Sequence, residues 1–283
     1  MKRGNSKGAA ISMFERNKRS KGLRVMGQRL TTLEESAGWL PGLDPFYDLT
    51  RPVEMDEFEN ARTTVVIPTL NEEKNIGGVI TELRSLGFSE ILVIDGNSHD
   101  KTLGIAKALG AKVLNQNGKG KGAALRQAFD NDGLGDWVII MDADGSMNPR
   151  ELSTFMGSLR NGADLVKGSR FMPGGRSEDM TFIRRIGNGF FVLLFNSLFG
   201  ANFTDLCYGF AGFKKKALNE LRPVLESNNF EIETEILVKA KKLGLRIAEV
   251  PSVELKRKNG KSNLNTVRDG FKILKTILQG VYS

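Results

Sequence analysis

With 283 residues the chain has room for one large domain, or for one domain with an appendage. A single cysteine, Cys207, excludes an intrachain disulfide and suits a reducing compartment, and a single histidine, His99, excludes a multi-histidine metal centre. The net charge of +8 is unevenly placed: residues 1–30 carry nine Lys/Arg against one acid, and residues 31–60 carry eight acids against one Arg.

Residues 1–60 read as an extension, first basic and then acidic. The basic part has few large apolar residues and is expected to be partly disordered, and the acidic part reads as an irregular strap carrying Trp39, Phe46 and Tyr47. The basic run is not a secretory signal, because no apolar core follows it. It is a solvated arm, or a contact for anionic lipid or nucleic acid. No stretch reaches the ~18–20 apolar residues of a membrane span. The closest, Ile186 to Phe199, is too short and holds Asn188 and Asn196, so it suits a bilayer interface or the core.

From residue 61 the texture changes to that of a folded domain. TTVVIP (63–68) is a strand, and NEEKNIGGVITELRSL a helix with Ile76, Val79, Ile80 and Leu83 on one face, Asn71 as its N-cap. EILVID (90–95) is a strand followed by a helix over 101–109. AKVLNQ is a third strand, GKGKG a loop and AALRQAF a helix. VIIM (138–141) is a short apolar run, the pattern of a strand buried on both faces, and it ends in Asp142-Ala143-Asp144. A helix from Pro149 to about Asn161 and a strand ADLVKGS follow. Strands and helices alternating at this spacing predict an α/β fold with a mostly parallel sheet. Beyond Arg170 the helices dominate: 182–199, about 216–225, 230–243, and a last one with Leu264, Val267, Phe271, Leu274, Ile277 and Val281 in a stripe for the core or a partner. TDLCYGFAGF is a short irregular segment, and LRIAEVPSVEL an extended pair or edge.

Open α/β sheets bind ligands at the carboxyl ends of their strands. Two carboxylates one residue apart at such an end suit Mg²⁺ or a similar hard cation, which takes one or two carboxylates together with substrate phosphates. The alternative is an Asp-rich turn capping the next helix. Pro68 to Glu72, Asp95 to Ser98, and Lys119 with Lys121 fall at the same edge, the lysines before a helix N-terminus able to hold an anion. GKGKG matches neither a P-loop nor a dinucleotide fingerprint, which argues against a Walker-type ATPase.

VVIPTLNEEKNI, VIDGNSHDKT, GKGKGAALRQA, MDADGSMNP, KGSRF, TDLCYGF, FEIETEILVKA and RKNGKSNL occur in this order. Together, over about residues 63–265, they resemble family 2 glycosyltransferases, nearest to the dolichyl- and polyprenyl-phosphate mannose or glucose synthases. The resemblance implies a GT-A (Rossmann-like) sheet flanked by helices over 61–283, with a C-terminal helical portion on the acceptor side. It implies inverting transfer of a hexose from a GDP- or UDP-sugar to a polyprenyl or dolichyl phosphate, with Mg²⁺ or Mn²⁺, at the inner membrane face. Peripheral membrane contact is expected and a nucleic-acid partner is not.

By that resemblance Pro68, Thr69, Asn71, Glu72, Asp95, Lys121 and Ala143 cradle the nucleotide sugar, Asp142 and Asp144 hold the metal–diphosphate, and Arg257 clamps the diphosphate. Ser169, Arg170, Arg184, Asn188 and Ser262 fall to the acceptor side, Ser262 also ordering the loop over the donor. An acceptor phosphate, largely dianionic near pH 7, needs cations to position it, and Arg170, Arg184 and Arg185 suit that task. A hydroxyl acceptor would need a carboxylate base instead, for which Asp205 is the candidate. Asp205 reads equally as a cap of the 203–210 turn, and Glu231, Glu233 and Glu235 as solvated, structural or acceptor-facing. A non-catalytic sugar-nucleotide sensor tethered by its basic tail is a third reading. The sequence departs from the family pattern at Gly96, Ser146, Tyr208, Ala211 and Asn263.

Overall fold

The computed structural model describes Asn60 and residues 62–260 and 264–282; the expectations for the N-terminal extension and for Ser262 fall outside these. Strands β1 (Thr63–Thr69), β2 (Glu90–Asp95), β3 (Lys112–Asn115), β4 (Trp137–Ile140), β5 (Leu165–Ser169), β7 (Ala211–Lys214) and β8 (Ile247–Pro251) form one seven-stranded sheet in the order β3-β2-β1-β4-β7-β5-β8. A second, two-stranded sheet pairs β6 (Arg176–Ser177) with β9 (Val253–Glu254).

Side chains alternate along each strand, and here both faces are covered. Val66, Leu92, Ile94, Val138 and Ile140 pack in one apolar layer, and Val65, Ile67, Ile91, Val93, Ile139 and Met141 in the other. Helices α1 (Ile76–Ser85), α2 (Thr102–Ala108) and α4 (Leu152–Arg160) cover the second layer. Helices α3 (Lys121–Phe129), α5 (Phe182–Phe199), α6 (Lys215–Leu221), α7 (Ile232–Lys242) and α8 (Thr266–Tyr282) cover the first.

β1 pairs in parallel with β2 on one side and β4 on the other, so the chain reverses its winding between β1 and β4. This is the crevice in which an open α/β sheet takes a ligand. The irregular segment expected before residue 214 in fact ends in β7, which runs antiparallel between β4 and β5. Four residues, AGFK, carry too short a pattern to announce a central strand.

Two further expectations are corrected. Asn71 is not a helix cap: it lies in the left-handed region at φ 56°, and α1 begins five residues later at Ile76. Its side chain instead accepts the His99 N–H at 2.9 Å, tying the loop after β1 to the loop after β2. The stripe on α8 is also rotated. Asp269, Ile273, Ile277 and Gly280 face inward, while Val267 and Phe271 are 68% and 70% exposed. α5 and α8 pack against each other, and α5 likewise exposes Phe182, Ile183, Ile186, Phe190 and Leu193.

Candidate active site

A cavity of about 610 Å³ opens at the carboxyl ends of β1, β2 and β4, within the range of small-molecule sites. Pro68, Thr69, Asn71, Glu72, Lys121, Asp142, Ala143, Asp144 and Arg257 all line it, although they lie up to 189 positions apart. Asp95 sits just behind this wall, buried at the end of β2. One of its oxygens accepts the Ser98 N–H at 2.9 Å, and the other, Oδ1, is buried without a partner. Thr69 Oγ1 and Arg257 Nε are in the same condition. Buried polar atoms are nearly always paired, so three orphans around one cavity mark groups suited to a polar ligand.

Each aspartate of the Asp142-Ala143-Asp144 turn is paired with a cation from a distant element. Lys121, at the start of α3, places Nζ 2.6 Å from Asp142 Oδ1 and 2.8 Å from Glu233 Oε1. Arg257 places Nη2 2.6 Å from Asp144 Oδ2 and Nη1 3.5 Å from Glu72 Oε1. Asp144 Oδ1 is fixed by the Ser146 N–H at 2.9 Å, and Glu72 Oε2 by the Asn75 amide at 2.6 Å.

The loop carrying Arg257 is tied down on both sides. The Leu255 N–H donates to the Ser146 carbonyl at 2.8 Å, and Asn259 and Asn75 exchange hydrogen bonds at 3.0 and 3.2 Å.

Glu72, Asp142, Asp144 and Glu233 share Lys121 and Arg257 in direct ion pairs, and Lys119 and Arg268 line the same cavity. Desolvation first, and then repulsion from neighbouring carboxylates, pushes Glu72 and Asp142 above the usual carboxylate range, against the pull of Arg257 and Lys121. Burial works against the Lys121 charge, but Asp142 and Glu233 outweigh it and hold the ammonium protonated. Two carboxylates on one turn suit a divalent cation bound together with a diphosphate, and Asp142 and Asp144 are the residues that would hold it. Among the described residues no cluster of three metal-binding side chains occurs, and a hard cation held by two carboxylates would take its other ligands from phosphate oxygens and water.

Of the residues expected on the acceptor side, Ser169, Arg170 and Asn188 lie in a buried framework around Asp205. Asp205 is fully buried; Arg170 binds its two oxygens at 2.7 and 3.0 Å, and the Cys207 N–H adds a further bond at 3.1 Å. Burial would raise its pKa, but Lys167 and Arg170 hold the carboxyl below the usual range. A carboxylate enclosed in this way is turned to Arg170 and the 203–210 turn rather than to a cavity that could hold an acceptor hydroxyl.

Arg170 is correspondingly spent on Asp205 and on Glu254, 3.2 Å away, and stacks over Tyr208. Asn188 accepts the Leu206 and Cys207 N–H groups, and Ser169 Oγ meets Thr204 Oγ1 at 2.6 Å. These residues shape the 203–210 turn rather than meeting solvent. Arg184 is half-buried beside Leu264, and Arg185 is exposed over Phe171.

Residues 64–222 match the glycosyl transferase family 2 model. The chain is 35% identical to glycosyltransferase AglJ of Haloferax volcanii over 73% of its own length and 67% of the relative's. The chain belongs to glycosyltransferase family 2. This family 2 enzyme is also 30% identical to the dolichyl-phosphate hexose transferase of H. volcanii, covering 80% of the chain and 96% of that protein. It is 30% identical to the polyprenol monophosphomannose synthase of Mycolicibacterium smegmatis, covering 77% and 88%. Its fold matches glucosyl-3-phosphoglycerate synthase of Mycobacterium tuberculosis, solved with Mn²⁺, UDP-glucose and phosphoglyceric acid, at a TM-score of 0.65 and 22% identity over 86% and 89% of the two chains. The family 2 domain is thus a GT-A fold, and the chain is a hexosyltransferase.

Gln116 and Arg268 line the cavity without a motif to announce them, while Gly209 and Glu233, inside TDLCYGF and FEIETEILVKA, stand behind Lys121. A Cβ at Gly209 would stand 2.5 Å from both Lys121 Nζ and Glu233 Oε1, so any larger residue there would displace the ends of the paired side chains. At Gly96 a Cβ would stand 3.2 Å from Gln116 Oε1 and from the Thr69 carbonyl oxygen, a tight fit for any larger residue.

Proposed function

We propose that this family 2 enzyme moves a hexose, mannose or glucose, from a GDP- or UDP-sugar to a polyprenyl or dolichyl phosphate, with inversion at the anomeric carbon. The observation that carries the donor half is the meeting of Asp142, Asp144, Lys121 and Arg257 in one cavity at the β1/β4 crevice. The acceptor half rests on the likeness to relatives named for dolichyl- and polyprenyl-phosphate substrates. An acceptor phosphate oxygen attacks the anomeric carbon, and the bond from that carbon to the diphosphate oxygen breaks with its electron pair leaving on the nucleotide. Lys121 and Arg257 are the cavity cations paired with the two aspartates, and they are the groups available to receive that charge. A bound Mg²⁺ or Mn²⁺ would add Lewis-acid stabilisation of the departing diphosphate. Arg257 would have to turn from Asp144 to the diphosphate for this, and its buried, unpaired Nε marks a side chain with bonding capacity in reserve.

The apolar surfaces of α5 and α8 support action at a membrane surface. Phe182 and Phe271 are 75% and 70% exposed, on neighbouring helices that also carry Arg185 and Lys275 at the surface. Amphipathic helices of this kind, with large apolar residues and cations, lie in the interface of anionic bilayers. No described helix is long and apolar enough to cross a membrane.

The test is incubation of the purified protein with GDP- and UDP-hexoses, with and without Mn²⁺ or Mg²⁺, offering a short polyprenyl phosphate or the matching polyprenol. Sugar transfer to the phosphate alone supports the reading. Equal use of the alcohol would return the acceptor to a hydroxyl, and donor binding without transfer or hydrolysis would favour a sensor.

A further inference from the structure

Lys121 is shared between two carboxylates with different duties. Asp142 lies in the turn that would hold a divalent cation, whereas Glu233 comes from the first turn of α7 and lies behind Lys121, off the cavity wall. A lysine paired only with Asp142 would compete with a metal ion for the same oxygen. On the donor reading given above, we propose that Glu233 is a positioning residue: it retains Lys121 beside the diphosphate position when a cation takes Asp142, and so keeps the two positive charges from excluding each other.

The surrounding fold is built to hold this pair. Glu235 accepts the Glu226 and Ser227 N–H groups at 2.9 to 3.2 Å, fixing the loop that precedes α7. The start of α3 docks on that loop through the Ala123 N–H and the Asn228 carbonyl, 3.1 Å apart. The approach is so close that a Cβ at Gly120 or Gly122 would stand 2.2 or 2.4 Å from a loop carbonyl oxygen. The backbone of Lys121 is therefore registered against the helix carrying Glu233, and Gly209 closes the pair from the other side. A buried ion pair is by itself a poor source of stability, since an apolar replacement of like volume often does as well. An ion pair sharing its cation with the carboxylate that would hold the metal, and covered by Gly209, has a use in the site.

The experiment compares wild type with Glu233→Gln, Lys121→Met and the double variant. Mn²⁺ binding is followed by EPR, alone and with UDP or GDP, and thermal melting checks the fold. Glu233→Gln should melt lower than wild type but, well below its melting temperature, bind Mn²⁺ and the Mn²⁺-dependent nucleotide at least about tenfold more weakly, because Lys121 then pairs with Asp142 alone. Adding Lys121→Met to it should restore Mn²⁺ binding but not nucleotide affinity, a rescue that a merely structural Glu233 would not produce. Equal Mn²⁺ and nucleotide affinities in Glu233→Gln and wild type would overturn the role, as would a double variant no better than Glu233→Gln in Mn²⁺ binding. A wild type that binds neither UDP nor GDP with Mn²⁺ would overturn the donor reading, and this role with it.

Discussion

Arg257 stands 2.6 Å from Asp144 and spans to Glu72 with its other terminal nitrogen, joining the loop after β9 to the strand ends of β4 and β1. The guanidinium fork suits this double contact in a way that an ammonium cannot, because its donors are fixed in a plane. Replacement by lysine therefore leaves one carboxylate unpaired. Arg257→Lys is expected to lower kcat/KM for the donor by about 1.5–3 kcal/mol, or roughly ten- to a hundredfold. Steady-state kinetics with a varied nucleotide sugar checks this, and an unchanged kcat/KM would remove Arg257 from the diphosphate.

Asp144 is the second fixed point of that relationship. Asp144→Asn keeps the shape and the contact with the Ser146 N–H but loses the charge that a divalent ion requires. Metal-dependent transfer should fall by several kcal/mol, at least about a hundredfold, with Mn²⁺ stimulation abolished. Transfer that still responds to Mn²⁺ in this variant would take the metal away from Asp144.

The Arg170–Asp205 pair gives a stability prediction rather than a catalytic one. Asp205→Asn leaves a buried guanidinium short of its counter-charge and should destabilise the fold by about 3–5 kcal/mol. Because the Asp205 pKa is depressed in the folded state, its stabilisation is fully present above the unfolded value of about 3.9 and is lost as pH falls through the native one. The difference between wild type and variant in denaturant melts should be constant near neutrality and shrink in acid. Transfer per folded molecule should largely survive; complete loss of chemistry in a folded Asp205→Asn would restore the general-base role.

Phe271 tests the membrane face. Burying one large apolar side chain contributes roughly 1.5–3 kcal/mol. Phe271→Glu should weaken sedimentation with anionic vesicles about tenfold or more, leaving the melting temperature near wild type, since Phe271 is 70% exposed. Unaltered vesicle binding would point to another partner for this surface.

Much of this protein is local in origin. Alternation on short strands, apolar on both sides, announces a sheet covered by helices on two faces, and the ordered motifs at the strand ends announce a nucleotide-sugar site. Pro68, Asn71, Glu72, Lys121, Asp142, Asp144 and Arg257 do converge on one cavity, because parallel strands bring their carboxyl ends to the same edge. Tertiary structure decided which charges meet. Lys121 finds Glu233 across 112 positions, and Arg170 encloses Asp205 in a buried pair. It also set the rotation of α8, whose apolar residues can form more than one stripe at helical spacing until Phe191 and its neighbours select the inward face. Side-chain periodicity is a property of a segment, whereas the partner of a buried charge depends on how segments pack, and that is why the fold and the donor edge were legible in the chain while the acceptor framework was not.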